Sequence, residues 1–204
     1  MRVKMCGMKS LAAARAAQEA GADYIGFVFA KESRRYVAPD TAREICAAIG
    51  GVEKVGVFVD AAPEEMNEIA AYCGLDYIQL HGHEPAEAAR RVNRPVIKAY
   101  RYGDDFDAAA ANGYPAEIIL IDSYVPGAAG GTGTVFRWEA AAREVARVTK
   151  PVLIAGGIVA ENVGTAMEIF HPFGVDVSGG LEENGEKSAE KIRMFMDAVR
   201  TAKI

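Results

Sequence analysis

The feature that most constrains this chain is an alternation that runs from one terminus to the other. Short runs rich in Val, Ile and Phe take turns with longer Ala-, Glu- and Arg-rich segments of helical spacing. The apolar runs predict strands over residues 2–6, 24–29, 54–59, 77–80, 96–100, 118–122, 152–155 and 175–178. Each is followed by a predicted helix, over 11–20, 40–49, 63–72, 85–92, 104–112, 137–148, 160–170 and 188–202. Asp60 stands as a helix N-cap ahead of Pro63, while Gly21 and Gly50-Gly51 supply helix stops. Strands joined by right-handed helical crossovers pair in parallel, and a run of such units closes naturally into an α/β, (β/α)8 TIM-type barrel. At 204 residues the chain fills one domain of this kind, residues 1–204, with little room for insertions. An open doubly wound sheet is the competing arrangement. It would carry G-x-G-x-x-G after its first strand, where this chain has Cys6-Gly7-Met8-Lys9.

Composition narrows the partner. With 23 Lys plus Arg against 28 Asp plus Glu, the net charge is −5, and no basic excess exists to displace counterions from nucleic acid. No run of about 18 apolar residues offers a membrane span, and the N-terminus lacks the apolar core of a signal peptide. Cys6, Cys46 and Cys73 form no C-x-x-C pair and are odd in number, which favours a reducing compartment, the cytoplasm. The expected partner is a small molecule.

In a barrel, function lies in the loops after the C-terminal ends of the strands. Here those positions hold Cys6, Arg34 and Arg35, Asp60, Gln79 and His81, Arg101, Asp122, Gly156 and Gly157, and Ser178, Gly179 and Gly180. Their side chains are expected to converge on one mouth. The glycine clusters after the seventh and eighth strands let backbone N–H groups approach a phosphate; tight strand-to-helix turns would need the same glycines. The glycine-rich stretch 126–133 lacks the Lys-Ser/Thr ending of a nucleotide loop and reads as a lid. Cys6 is either a small buried hydrophobe or a thiol aimed into the mouth. Asp122, ending Ile118-Ile119-Leu120-Ile121, is a poor core filler and precedes a glycine loop, which weakens a capping role. Arg35 sits in a polar stretch that serves equally as a solvated loop or an anion ligand. His81 and His83, with Cys73 upstream, match no zinc spacing, so no metal site is expected.

Taken together, these segments resemble the phosphoribosylanthranilate isomerase family over essentially the whole chain. The resemblance rests on Val3-Lys4-Met5-Cys6-Gly7, Gly21-Ala22-Asp23-Tyr24-Ile25-Gly26-Phe27-Val28-Phe29, Ser33-Arg34-Arg35-Tyr36-Val37, Val55-Gly56-Val57-Phe58-Val59, Ile78-Gln79-Leu80-His81-Gly82, Asp122-Ser123 with Gly130-Gly131-Thr132-Gly133, Ala155-Gly156-Gly157, and Gly174-Val175-Asp176-Val177-Ser178. It implies a tryptophan-pathway enzyme that takes a phosphorylated small-molecule substrate through an Amadori rearrangement, with no cofactor or metal, as a monomer or homodimer. By position it implies Cys6 as general base, Asp122 as general acid and Arg35 at the anthranilate carboxylate. Gln79 and His81 contact substrate, and Gly156, Gly157, Ser178 and Gly179 hold phosphate. Three residues depart from the family pattern: Lys9 replaces a threonine, Arg137 an aspartate, and Gly179 a second serine. Another phosphosugar isomerase on the same scaffold would use two aspartates, and Cys6 disfavours it. The remaining alternative is a non-catalytic phosphate-binding protein.

Overall fold

The computed structural model describes residues 1–103, 106–122 and 133–202, with the side chains of 133–137 excluded. The alternation becomes a closed parallel barrel, each strand bonded to the next in sequence and the eighth to the first. Its strands are β1 Arg2–Cys6, β2 Tyr24–Val28, β3 Glu53–Phe58, β4 Tyr77–Leu80, β5 Val96–Arg101, β6 Ile118–Asp122, β7 Val152–Ala155 and β8 Gly174–Val177. Around them run α1 Leu11–Ala20, α2 Pro39–Ala48, α3 Pro63–Cys73, α4 Ala86–Arg90, α5 Ala108–Gly113, α6 Gly133–Val145, α7 Val163–Phe170 and α8 Ala189–Thr201.

Alternation along each strand builds two separate cores, because successive side chains point to opposite faces. Val3, Met5, Ile25, Phe27, Ile119, Ile121, Ile154 and Val175 face outward and pack among the helices. Tyr24, Val55, Ile97, Leu120 and Leu153 face inward and fill the lower barrel. Above them, Cys6 meets Val28 and Val57 at the floor of the mouth. The two-residue period thus carries Cys6, Gln79, Asp122, Asp176 and Ser178 toward the barrel axis.

Local differences from the predicted elements have identifiable causes. Asp60 is not the cap of α3: Ala62 holds the N-cap position, and Pro63 starts the helix. Asp60 lies in the left-handed region at φ 51°, and its carboxylate accepts from His83 N at 2.6 Å, tying two loops together instead. Helix α7 starts at Val163 because Asn162 turns back, its Oδ1 accepting from Val159 N at 2.8 Å. Helix α5 starts at Ala108, where Asp107 accepts from Ala109 N; Asp104, the predicted start, lies outside the described residues. A two-stranded antiparallel hairpin, β9 Glu182–Glu183 and β10 Glu186–Lys187, was absent from the predicted elements. Its turn has Asn184 at φ 51° and Gly185 at φ 84°, the Asn-Gly pair favoured by tight hairpin turns. The proposed lid stretch, residues 126–132, lies outside the described residues.

Candidate active site

A cavity of about 790 Å³ opens at the C-terminal ends of the strands. It brings together Cys6, Arg34, Arg35, Gln79, His81, Asp122, Gly156, Gly157, Ser178, Gly179 and Gly180 from six separate segments of sequence. Asp60 and Arg101, expected at the same mouth, are not in its wall. Asp176 and Lys191, which the sequence reading passed over, are.

Cys6 ends β1 and is 7% exposed. Its register partner across the sheet is Gly26, and a Cβ there would stand 2.7 Å from the Cys6 sulfur. Only glycine on β2 leaves room for an inward thiol at this level. Below it Lys4, on the same inward face and fully buried, binds Asp176 at 2.6 Å. Burial alone would lower the Lys4 pKa, but attraction to Asp176, with a further contribution from Cys6, holds it above the usual lysine range. A fixed cation therefore sits beside the thiol.

Asp122 ends β6 and lies in register with Ala155 of β7 and Arg101 of β5. In the barrel order β1, β8, β7, β6, it is separated from Cys6 by two strands, so the pair flanks the cavity from different sides. His81 faces the cavity after β4. The ring is exposed to the cavity, but desolvation by the surrounding protein, followed by the charge of Lys4, lowers its pKa and favours the neutral imidazole. Gln79 is 1% exposed, and its amide lies 2.8 Å from His81 Nδ1. With Gln79 Nε2 donating to Nδ1, the histidine carries its proton on Nε2. Gln79 Oε1 is buried without a hydrogen-bond partner among the described residues.

The glycines of the seventh loop have left-handed backbones, Gly156 at φ 91° and Gly157 at φ 68°, and a Cβ on Gly157 would meet nothing within 4 Å. A side chain there would stand in open space at the cavity wall. Ser178 donates its hydroxyl to Cys6 O at 3.0 Å, and Gly179 opens a short 3-10 turn over Gly179–Leu181. Past the glycines of the eighth loop, Lys187 returns on β10 and Lys191 follows in the first turn of α8. Lys191 Nζ donates to Glu182 O at 2.6 Å on the cavity wall. The signal for Lys187 was present in Asn184-Gly185, which folds the chain back on itself; that for Lys191 was its place just inside a helix.

Arg35 is engaged. Its Nε donates to Glu182 Oε1 at 2.5 Å and its Nη2 to Glu182 Oε2 at 3.2 Å. Arg34, with 66% of its side chain exposed, reaches the same carboxylate at 2.7 Å from outside. Burial would raise the Glu182 pKa, but hydrogen bonds and charge from Arg35 and Lys187 hold it down at about 2. Of the three departures from the family pattern, Lys9 pairs with Glu186 at 3.0 Å on the hairpin, away from the cavity wall. Gly179 lies on that wall, and the side chain of Arg137 lies outside the described residues.

On a protein with a net charge of −5, this cavity has Arg34, Arg35 and Lys191 in its wall, and Lys4 and Lys187 bond the wall residues Asp176 and Ser178, an environment suited to an anionic small molecule. The family model for N-(5'phosphoribosyl)anthranilate (PRA) isomerase matches residues 3–198. Among curated relatives, the N-(5'-phosphoribosyl)anthranilate isomerase of Moorella thermoacetica is 44% identical, over 99% of this chain and 91% of its own. That of Pseudomonas putida is 46% identical, over 99% and 98%. The solved phosphoribosyl anthranilate isomerase of Thermotoga maritima superposes with a TM-score of 0.88 at 38% identity, covering 98% of each chain. A further solved structure of this enzyme, in complex with reduced 1-(o-carboxyphenylamino)-1-deoxyribulose 5-phosphate, is 35% identical with a TM-score of 0.86, again over 98% of each chain. With its sequence matched almost end to end and its barrel closed in the same way, the chain belongs to the N-(5'-phosphoribosyl)anthranilate isomerase family.

Proposed function

We propose that this isomerase of the tryptophan pathway converts N-(5'-phosphoribosyl)anthranilate to 1-(2-carboxyphenylamino)-1-deoxyribulose 5-phosphate with Asp122 as general acid and Cys6 as general base. The observation that carries the reading is the placement of a carboxyl and a thiol on different sides of one cavity, with cations along its wall. Asp122, protonated, donates to the ribose ring oxygen as the ring opens to an iminium. Cys6, as thiolate, removes the proton from the second sugar carbon, and the enolamine tautomerises to the ketone. No atoms are gained or lost, so one proton donor and one acceptor suffice. General acid–base help of this kind supplies typically about 10²- to 10⁴-fold per group, and positioning supplies much of the rest.

Arg35 takes the anthranilate carboxylate. The main chain of Gly156, Gly157, Ser178 and Gly179 takes the phosphate, with Lys191 adding charge at the same wall; since the Ser178 hydroxyl is already donated to Cys6 O, its amide is the group available. Neutral His81, its Nδ1 held by Gln79, offers an Nε2 proton to a sugar oxygen. The chain works on this small molecule in the cytoplasm as a monomer or homodimer. Monomers generated from the dimeric Thermotoga maritima protein are themselves a close structural match, with a TM-score of 0.85.

The test follows loss of substrate fluorescence in the wild type, Cys6→Ser and Asp122→Asn. A serine hydroxyl is far too weak an acid to form a useful alkoxide, and an amide cannot donate the proton. Each variant is expected to lose nearly all turnover while still binding the reduced product analogue. A variant that keeps most of its turnover when chemistry limits the rate removes that residue from its role.

A further inference from the structure

We infer that Glu182 is a positioning residue for this reaction: it aims Arg35 at the aromatic carboxylate and, through Lys187 and Ser178, ties that arginine to the strand end that carries the base. The inference rests on the assignment of Arg35 made above. Glu182 sits at the base of the β9–β10 hairpin with 9% of its side chain exposed. Its Oε1 accepts from Arg35 Nε at 2.5 Å and from Lys187 Nζ at 3.0 Å, and its Oε2 from Arg34 Nη2 at 2.7 Å. Lys187, 4% exposed, also donates to Ser178 O at 2.9 Å and to Ser178 Oγ at 3.2 Å. Ser178 Oγ in turn donates to Cys6 O at 3.0 Å. A continuous polar chain therefore runs from the second loop, through the hairpin, to the end of β1.

The planar guanidinium presents five N–H groups in a fixed fork. With the Nε edge held by Glu182, rotation about the long side chain is stopped, and the Nη1 side is the part of the group left to meet a substrate carboxylate. A carboxylate in this place could instead act as an internal competitor that substrate must expel. Burial argues against that role, because expulsion would strand Lys187 in the wall without its anion. Charge argues the same way. Burial lowers the Lys187 pKa and Glu182 opposes it, so neutralising Glu182 favours loss of the Lys187 proton rather than leaving an extra cation for the substrate. What the Glu182 carboxylate chiefly supplies is orientation.

Steady-state kinetics of Glu182→Gln, Arg35→Ala and the double variant test this, alongside binding of the reduced product analogue and of the same compound without its aromatic carboxylate. Glu182→Gln is expected to raise KM roughly tenfold, with kcat changed by less, a factor that corresponds to about 1.4 kcal/mol. In the Arg35→Ala background the same change should add less than about twofold. The analogue lacking the carboxylate should bind wild type and Glu182→Gln alike. A lowered KM would make Glu182 a competitor and overturn the inference. So would a penalty that survives in the Arg35→Ala background or with the decarboxylated analogue. Should Glu182→Gln not fold, Arg35→Lys keeps the charge and removes the fork: a raised KM supports orientation, and an unchanged one overturns it. If wild type turns over but Arg35→Ala alone binds the carboxylated analogue normally, the Arg35 assignment fails first, and that result is visible before Glu182 is altered.

Discussion

Lys4 and Lys98 are both buried on strands of the barrel, and the alternation of their strands sends them to opposite faces of its wall. Lys4 on β1 shares the inward face with Cys6; Lys98 on β5 shares the outward face with Val96 and Tyr100. Lys98 Nζ binds Glu84 at 2.8 Å and Gly82 O at 2.7 Å, with the Tyr100 and Tyr114 rings 5.9 and 5.6 Å away. Glu84 uses its Oε1 on Asp60 N at 2.9 Å and Gly82 N at 3.1 Å. That network is closed upon itself and fixes the loop carrying His81. The Lys4–Asp176 pair is as short, yet Asp176 lies on the cavity wall and Lys4 stands beside the Cys6 thiol. The same chemical pair is a scaffold on one face and a tuning element on the other, and what decides between them is whether it opens onto the cavity.

Breaking the closed pair should give the largest effect on stability. Lys98→Met leaves Glu84 buried and unpaired, which costs about 3–5 kcal/mol. Urea unfolding should show that loss, while turnover per folded molecule falls less than in the matching Lys4 variant. If Lys98→Met instead removed turnover with stability intact, the division between the two faces would be wrong.

The proposed anion-binding side of the cavity can be probed next. Arg35→Ala is expected to lower kcat/KM by about 2–5 kcal/mol, the range for removing one partner of a buried charge pair. Arg34→Ala, at an exposed contact, should stay within about 1 kcal/mol. The reverse order would mean that the outer arginine meets the carboxylate. Gly157→Val should come after it, raising KM about tenfold or more. Its φ of 68° already costs a branched residue about 1–3 kcal/mol, and its side chain would occupy the phosphate's place. An unchanged KM would move the phosphate elsewhere.

Lys4→Met sharpens the comparison most finely. It should reduce kcat about tenfold, a part of the 10²- to 10⁴-fold that the proposed general base supplies, because the reacting group loses the cation beside it. An unchanged kcat would leave Lys4 as scaffold only, like Lys98.

Much of this architecture is legible in the chain itself. Strands β1, β4, β6 and β7 fall where the apolar runs put them, since four to five residues bounded by turn signals leave little freedom. Helix ends were less legible. Asp60 resembles a cap by type and position, but a cap must reach the second or third helical N–H, and a left-handed backbone aims this carboxylate at His83. The hairpin after β8 had a readable Asn-Gly turn, but its strands of two residues fall below any periodic signal.

By itself, then, the sequence determined the alternating units, their parallel closure and, through the two-residue period of each strand, which side chains face the axis. That set already contained Cys6, Asp122 and Gln79, because side-chain direction in a strand is a local property of the backbone. Only the tertiary structure decided what Arg35 touches. Its partner Glu182 stands 147 residues away, on a hairpin brought alongside by the pairing of β8 with β1. A charge 147 residues distant has no local signature, and it meets its counterpart only because closing the barrel makes the last strand a neighbour of the first.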